Sequence, residues 1–158
     1  MSPHSLDLST ITPFIQLAIA AGLGMLLGIE RLLAGKTAGP RTYALVALGA
    51  CLLTIISLNV ATLYPFPTSV DPVPIVSTIV SGIGFIGAGL IIFNKSQSRL
   101  SGLTTAAGIW VSAAIGITVG FHFYLLAAFA TFLALFIFTI MWRLEQKLKV
   151  LFPEKENE

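Results

Sequence analysis

Glu30 and Arg31 stand side by side near the end of the first long apolar run, and Arg41 opens the second. Charge near the centre of a bilayer costs at least ~2.5 to 3.5 kcal/mol on insertion scales, so such groups are usually paired or functional. Glu30 shares a helical column with Ile19, Leu23 and Leu26. Its short carboxylate cannot snorkel to water as a long basic side chain does, and it needs a partner or a proton. Arg41 and Arg31 are the available cations, and a bidentate arginine pair is the least costly way to hold a carboxylate at that depth. Hydrophobic topology adds Thr42, Asn94, Thr104 and Thr105 at the same level, giving one polar cluster on one side of the membrane. Two chemistries stay open for it: an ion-pair clamp that fixes helix register, or an ion or phosphate-anion site. Two arginines against one carboxylate leave the patch cationic, which argues against a bare divalent-cation cage. The residue pattern names no metal.

The remaining candidates are sparser. Asp71 stands alone on the opposite side, where it can cap the third helix and complement its dipole or attract a cation. Asn59 and Thr62 could add oxygen ligands there, but the signal is weak. His4 and His122 are isolated, and a lone surface histidine is rarely a ligand. Cys51, the single cysteine, lies within an apolar run, so it forms no internal disulfide and reads as a small packing residue. No nucleophile with a base at usable spacing, no His or Cys cluster and no phosphate-binding loop is present, so the chain is expected to be no enzyme and to use no cofactor.

The elements that must position these residues follow from composition. With 158 residues, 56% hydrophobic and 10% charged, the chain lacks the polar surface to face water on all sides. A hydrocarbon core of ~30 Å needs ~20 helical residues, and windows at 12–34, 42–63, 73–93, 103–120 and 122–142 meet or approach that length. The fold is therefore read as all-α, a polytopic membrane protein of five transmembrane helices, after an external segment 1–11 and before a tail 143–158. The tail is apolar at 144, 148, 151 and 152, which predicts a short amphipathic helix along the membrane surface. The connections are short loops, and Ser101 or Thr104 can cap the fourth helix.

Orientation comes from charge. Arg31, Lys36 and Arg41, then Lys95 and Arg99, then Arg143, Lys147, Lys149 and Lys155 flank alternate junctions, while the others hold only Asp7 and Asp71. Positive flanks stay in the cytoplasm, so the amino terminus is expected outside and the carboxyl terminus inside. The net charge of +2 belongs to these flanks and makes no nucleic-acid face. The first run lacks a positive n-region, which favours an uncleaved span over a signal peptide.

Glycine supplies the last signal. Ala20, Gly24 and Gly28 line one face of the first span, and Thr105, Gly108, Ser112 and Gly116 one face of the fourth, the pattern of close helix packing. The third span places Gly82 and Gly89 on one side and Gly84 and Gly87 on another, as a helix clasped from both sides would require. The alternative is a local break that frees carbonyls to bind a cation, which the bilayer's penalty on unpaired backbone disfavours.

Taken together, GMLLGIER (24–31), AGPRT (38–42), Asp71-Pro72, SGIGFIGAG (81–89), GLTTAAGIW (102–110) and VSAAIG (111–116) resemble the MgtC/SapB family of bacterial inner-membrane proteins. The resemblance implies five helices and an external amino terminus. It also implies a link to growth at low magnesium, acid tolerance and intracellular survival, with partners among other membrane proteins. Glu30, Arg31, Arg41, Thr42, Asp71, Thr104, Thr105 and Trp110 fall on its motifs. Val73 and Pro74 stand where many relatives carry an arginine after the aspartate. The short tail resembles compact SapB-like members without a soluble carboxy-terminal domain. The expected function is non-enzymatic support of magnesium or cation homeostasis or stress adaptation, by packing as a homo-oligomer or with other inner-membrane proteins. The alternative is a small oligomeric transporter or channel for magnesium, protons, potassium or phosphate, with Glu30 and Gly82 to Gly89 lining its pathway.

Overall fold

Helix α1 spans Leu8–Leu33, α2 Pro40–Leu63 and α3 Val73–Leu90; Ile92–Asn94 and Arg99–Ser101 form strands β1 and β2; α4 spans Leu103–Gly120, and α5, Tyr124–Phe136, passes through a π-helical turn at Ile137–Met141 into α6, Trp142–Leu151. This computed structural model describes residues 8–63, 73–94 and 99–151. Four stretches, Ile11–Leu33, Pro40–Val60, Leu103–Gly120 and Tyr124–Leu148, are long and apolar enough to cross a membrane, and Ile75–Leu90 is a shorter apolar helix. Phe85 and Leu125 are 84% and 86% exposed, a surface suited to lipid as solvent. The chain is an all-α polytopic membrane protein.

Local chemistry sets the helix ends. The N–H of Lys36 donates to the carbonyl of Arg31 at 2.9 Å and that of Gly35 to Leu32 at 3.0 Å. Gly35 sits at φ +66°, so α1 closes in a Schellman motif, and Pro40 then opens α2 where its missing N–H costs nothing. The same motif ends α4: Phe123 N–H donates to Thr118 and His122 N–H to Val119, with His122 itself at φ 67°. At the start of α4, Gly102 holds φ 89° and no side chain caps the helix. The expected caps, Ser101 or Thr104, are therefore corrected: a left-handed N-cap glycine turns the chain, and a Cβ there would collide with the Leu90 carbonyl.

Two further expectations are corrected. The third span stops at Leu90, and the connection to α4 is an antiparallel ribbon pairing Ile92 with Ser101, Phe93 with Leu100 and Asn94 with Arg99. The two short extended segments satisfy one another's backbone groups there in place of a loop. At the other end, Ile137 and Trp142 keep right-handed helical torsions, so α6 prolongs α5 and does not turn away after Trp142.

The core is α1, α2 and α4. Ala47 of α2 is fully buried between Gly24 of α1 and Gly116 of α4. Gly28 abuts Pro40, and Gly120 abuts Thr54 and the Cys51 carbonyl. Both small-residue stripes thus turn towards α2, where backbones meet with no room for a methyl group. Helix α3 leans on α4 and touches α2 only lightly. It is continuous, yet it is not clasped from two sides: a Cβ at Gly87 would stand 3.7 Å from that of Ala106, while Gly82, Gly84 and Gly89 face open space. One face of α3 packs on α4, and no described element covers the other.

Candidate functional site at the basic end of the bundle

The Schellman turn at Gly35 and the proline start of α2 place Arg31, Lys36 and Arg41 at one end of the bundle. Arg31 is 2% exposed, although it is the longest cationic side chain type. Its Nε and Nη2 both donate to Oε2 of Glu30, whose side chain keeps 17% of its surface. The guanidinium carbon lies 3.8 Å from the centroid of the Phe138 ring, and Nη2 also reaches the Phe138 carbonyl at 3.4 Å. Phe138 belongs to the π-helical turn, where the i→i+5 pattern disturbs the ordinary carbonyl pairing, so arginine meets both the face of a ring and a backbone acceptor. A buried guanidinium is tolerable because carboxylate, carbonyl and π face surround it.

The seam continues inward. Gly108 has no side chain, which leaves space for both the Tyr43 hydroxyl and the Phe138 ring. Tyr43 is fully buried; its hydroxyl donates to the Thr105 carbonyl at 3.4 Å, and its own carbonyl accepts from the Ser112 hydroxyl at 2.8 Å. One α2 residue therefore ties to α4 at two levels. At the far end, Gln16 of α1, 2% exposed, donates through Nε2 to the carbonyls of Val119 and Gly120 at 2.8 and 3.0 Å. It caps α4 from a neighbouring helix and satisfies carbonyls that lipid could not.

Of the residues singled out by sequence, Glu30, Arg31, Gly108, Ser112 and the backbone of Thr105 enter this seam. Arg41 and Thr104 are exposed and Thr42 is half-buried. The carboxylate is thus matched by its chain neighbour Arg31, while Arg41 points to the surroundings. Asn94 lies in β1, and Asp71 lies outside the described residues. Trp110 is 48% exposed. Among the described residues no group of three or more His, Cys, Asp or Glu could hold a metal ion. Tyr43, Gln16 and Phe138 escaped the sequence reading, and Ser112 was read only as part of the packing stripe of the fourth span; for Gln16 the available signal was a polar side chain inside an apolar span.

Two small cavities, each with several polar residues at its border, flank the seam. One of about 270 Å³ at the basic end is bordered by Lys36, Thr37, Ser101 and Thr105. The other, about 330 Å³ at the far end, is bordered by Thr12, Gln16, Asn59 and His122. Between them the helices meet at Gly24, Ala47 and Gly116.

The MgtC family profile matches residues 17–147. The chain belongs to the MgtC family. It is similar to protein SapB of Bacillus subtilis, with 42% identity over 125 residues that make up 78% of this chain and 53% of SapB. It is also similar to the putative magnesium transporter YhiD of Escherichia coli, at 37% identity over 145 residues, 87% of this chain and 63% of YhiD. Protein MgtC of Brucella abortus is 42% identical over 115 residues, 73% of this chain and 45% of that protein. The chain thus spans about half to two-thirds of the length of these relatives. No solved structure matches it. As an MgtC-family chain with several apolar helices, it is a multi-pass membrane protein.

Proposed function

We propose that this MgtC-family protein resides in the bacterial inner membrane, basic end inward, and supports magnesium homeostasis by associating with itself and with other membrane proteins, without catalysing a reaction. The name of YhiD supplies the link to magnesium. The observation that carries the mode of action is the division of the glycines. Gly24 and Gly28 of α1 and Gly108, Gly116 and Gly120 of α4 are consumed in the core, while α3 turns Ser77, Ser81, Gly84 and Ala88 outward, all exposed. Four small residues within a narrow helical arc let a second helix approach closely in lipid. Glu30, held by Arg31, acts as the clamp of the core and not as a cation ligand.

A second reading, transport through the bundle, draws on the polar cavities at both ends of the α1–α4 seam. Reconstituted proteoliposomes separate the two. Association predicts no magnesium flux above empty vesicles, together with disulfide cross-linking of a Gly84→Cys variant over the background of buried Cys51. Magnesium flux that Glu30→Gln abolishes, in a variant that still folds, would establish transport instead.

A further inference from the structure

We propose that the groove between α2 and α3 binds one anionic phospholipid, its acyl chain lying between the helices and its phosphate against Arg41. Between α2 and α3, which touch only lightly, lies an open cavity of about 610 Å³. Leu45, Gly49 and Leu53 form one wall and Ile79, Gly82 and Ile86 the other. Gly49 and Gly82 have nothing within 4 Å of the place a Cβ would occupy, so the two walls are bare where they would otherwise close.

Length and charge select the occupant. The α3 wall runs from Ile75 to Ile86, ~16 Å at 1.5 Å per residue, close to the ~15 Å depth of one leaflet. Arg41, Leu45 and Gly49 follow at four-residue spacing on one helix face, so the exposed guanidinium stands one turn beyond the groove, where a headgroup phosphate would lie. A basic residue at the rim of an apolar inter-helix slot is the arrangement that recognises anionic headgroups. The inference is independent of the proposed mode of association, since the outward Ser77–Ala88 arc is a different face of α3.

Native mass spectrometry of the detergent-solubilised protein tests it, with phosphatidylglycerol and phosphatidylcholine added in parallel at equal concentration. Phosphatidylglycerol adducts should dominate, and Arg41→Gln should weaken them about fivefold, while Arg143→Gln on exposed α6 leaves them unchanged. Gly49→Ile, which fills open space, should remove the adducts of both lipids, and glycerol phosphate without acyl chains should not compete. Should Gly49→Ile fail to fold, Arg41→Gln at its exposed position still decides. Equal retention of the two lipids unaffected by Arg41→Gln would overturn the proposal. So would a protein dimer that Gly49→Ile dissociates, which would give the groove to a second copy.

Discussion

The Arg31 guanidinium carbon rests 3.8 Å from the centroid of the Phe138 ring, joining the last turn of α1 to the π-helical turn after α5. The cation is held by a carboxylate beside it, an aromatic face and a carbonyl, and each group answers a different part of its desolvation. Glu30→Ala leaves the guanidinium buried without its counter-charge, and should lower stability in detergent by about 3 kcal/mol. Phe138→Leu keeps the backbone carbonyl but loses the ring face, at about 1 to 2 kcal/mol. Chemical unfolding of the two variants and their double mutant should show coupling, since both act on one guanidinium. Additive losses would show that ring and carboxylate serve it independently.

Glycine positions should divide by what faces them. Gly116→Ala drives a methyl group into the Ala47 backbone and Gly28→Ala into Pro40, so each should cost about 1 to 3 kcal/mol. Gly22 has open space around it, and Gly22→Ala should be neutral or stabilising by up to about 1 kcal/mol through helix propensity. Thermal midpoints of the three variants in one detergent make the comparison. A loss at Gly22 equal to that at Gly116 would remove close backbone approach as the cause.

The turn after α4 carries a residue type poorly suited to it. His122 occupies the left-handed position of a Schellman motif at φ 67°, where a Cβ is unfavourable by about 1 kcal/mol. His122→Gly should hold stability level or raise it slightly, offset by loss of the edge contact with the Tyr124 ring at 6.0 Å. His122→Val should lower it, because β-branched side chains tolerate that torsion least. The order Gly, His, Val in unfolding midpoint is the expected result.

Much of this architecture was readable beforehand, because an apolar run of ~20 residues has one common way to satisfy its backbone in lipid. The runs read at 12–34, 42–63 and 103–120 became α1, α2 and α4 with ends shifted by four residues at most. Periodicity, however, names a face without naming what lies opposite it. Four glycines in α3 suggested two packed faces, and only Gly87 has a neighbour. Glu30 plainly needed a cation, but choosing between Arg31 and Arg41 required the π-helical turn to bring Phe138 over one of them. Tyr43 looked like any aromatic in an apolar span; its value lies in Gly108 and Thr105, far away in sequence. The ribbon between α3 and α4 was hidden because three-residue strands carry almost no pattern.

Gln16 offers the sharpest check on how this bundle is sealed. Its amide donates to the carbonyls of Val119 and Gly120, the last two residues of α4; the Val119 carbonyl also accepts from the His122 N–H. Gln16→Leu matches the volume and suits the lipid environment better, so on hydrophobicity alone it should stabilise α1. If the cap matters more, losing both bonds, with the Gly120 carbonyl left without its amide donor, should cost about 1 to 2 kcal/mol, near the upper range for inter-helix hydrogen bonds in membranes. Amide exchange should then accelerate at Phe121 to Phe123, whose N–H groups close the same turn, while exchange near Tyr43 at the opposite end stays unchanged. Faster exchange throughout α1 with a quiet α4 turn would show that Gln16 serves packing and not the cap.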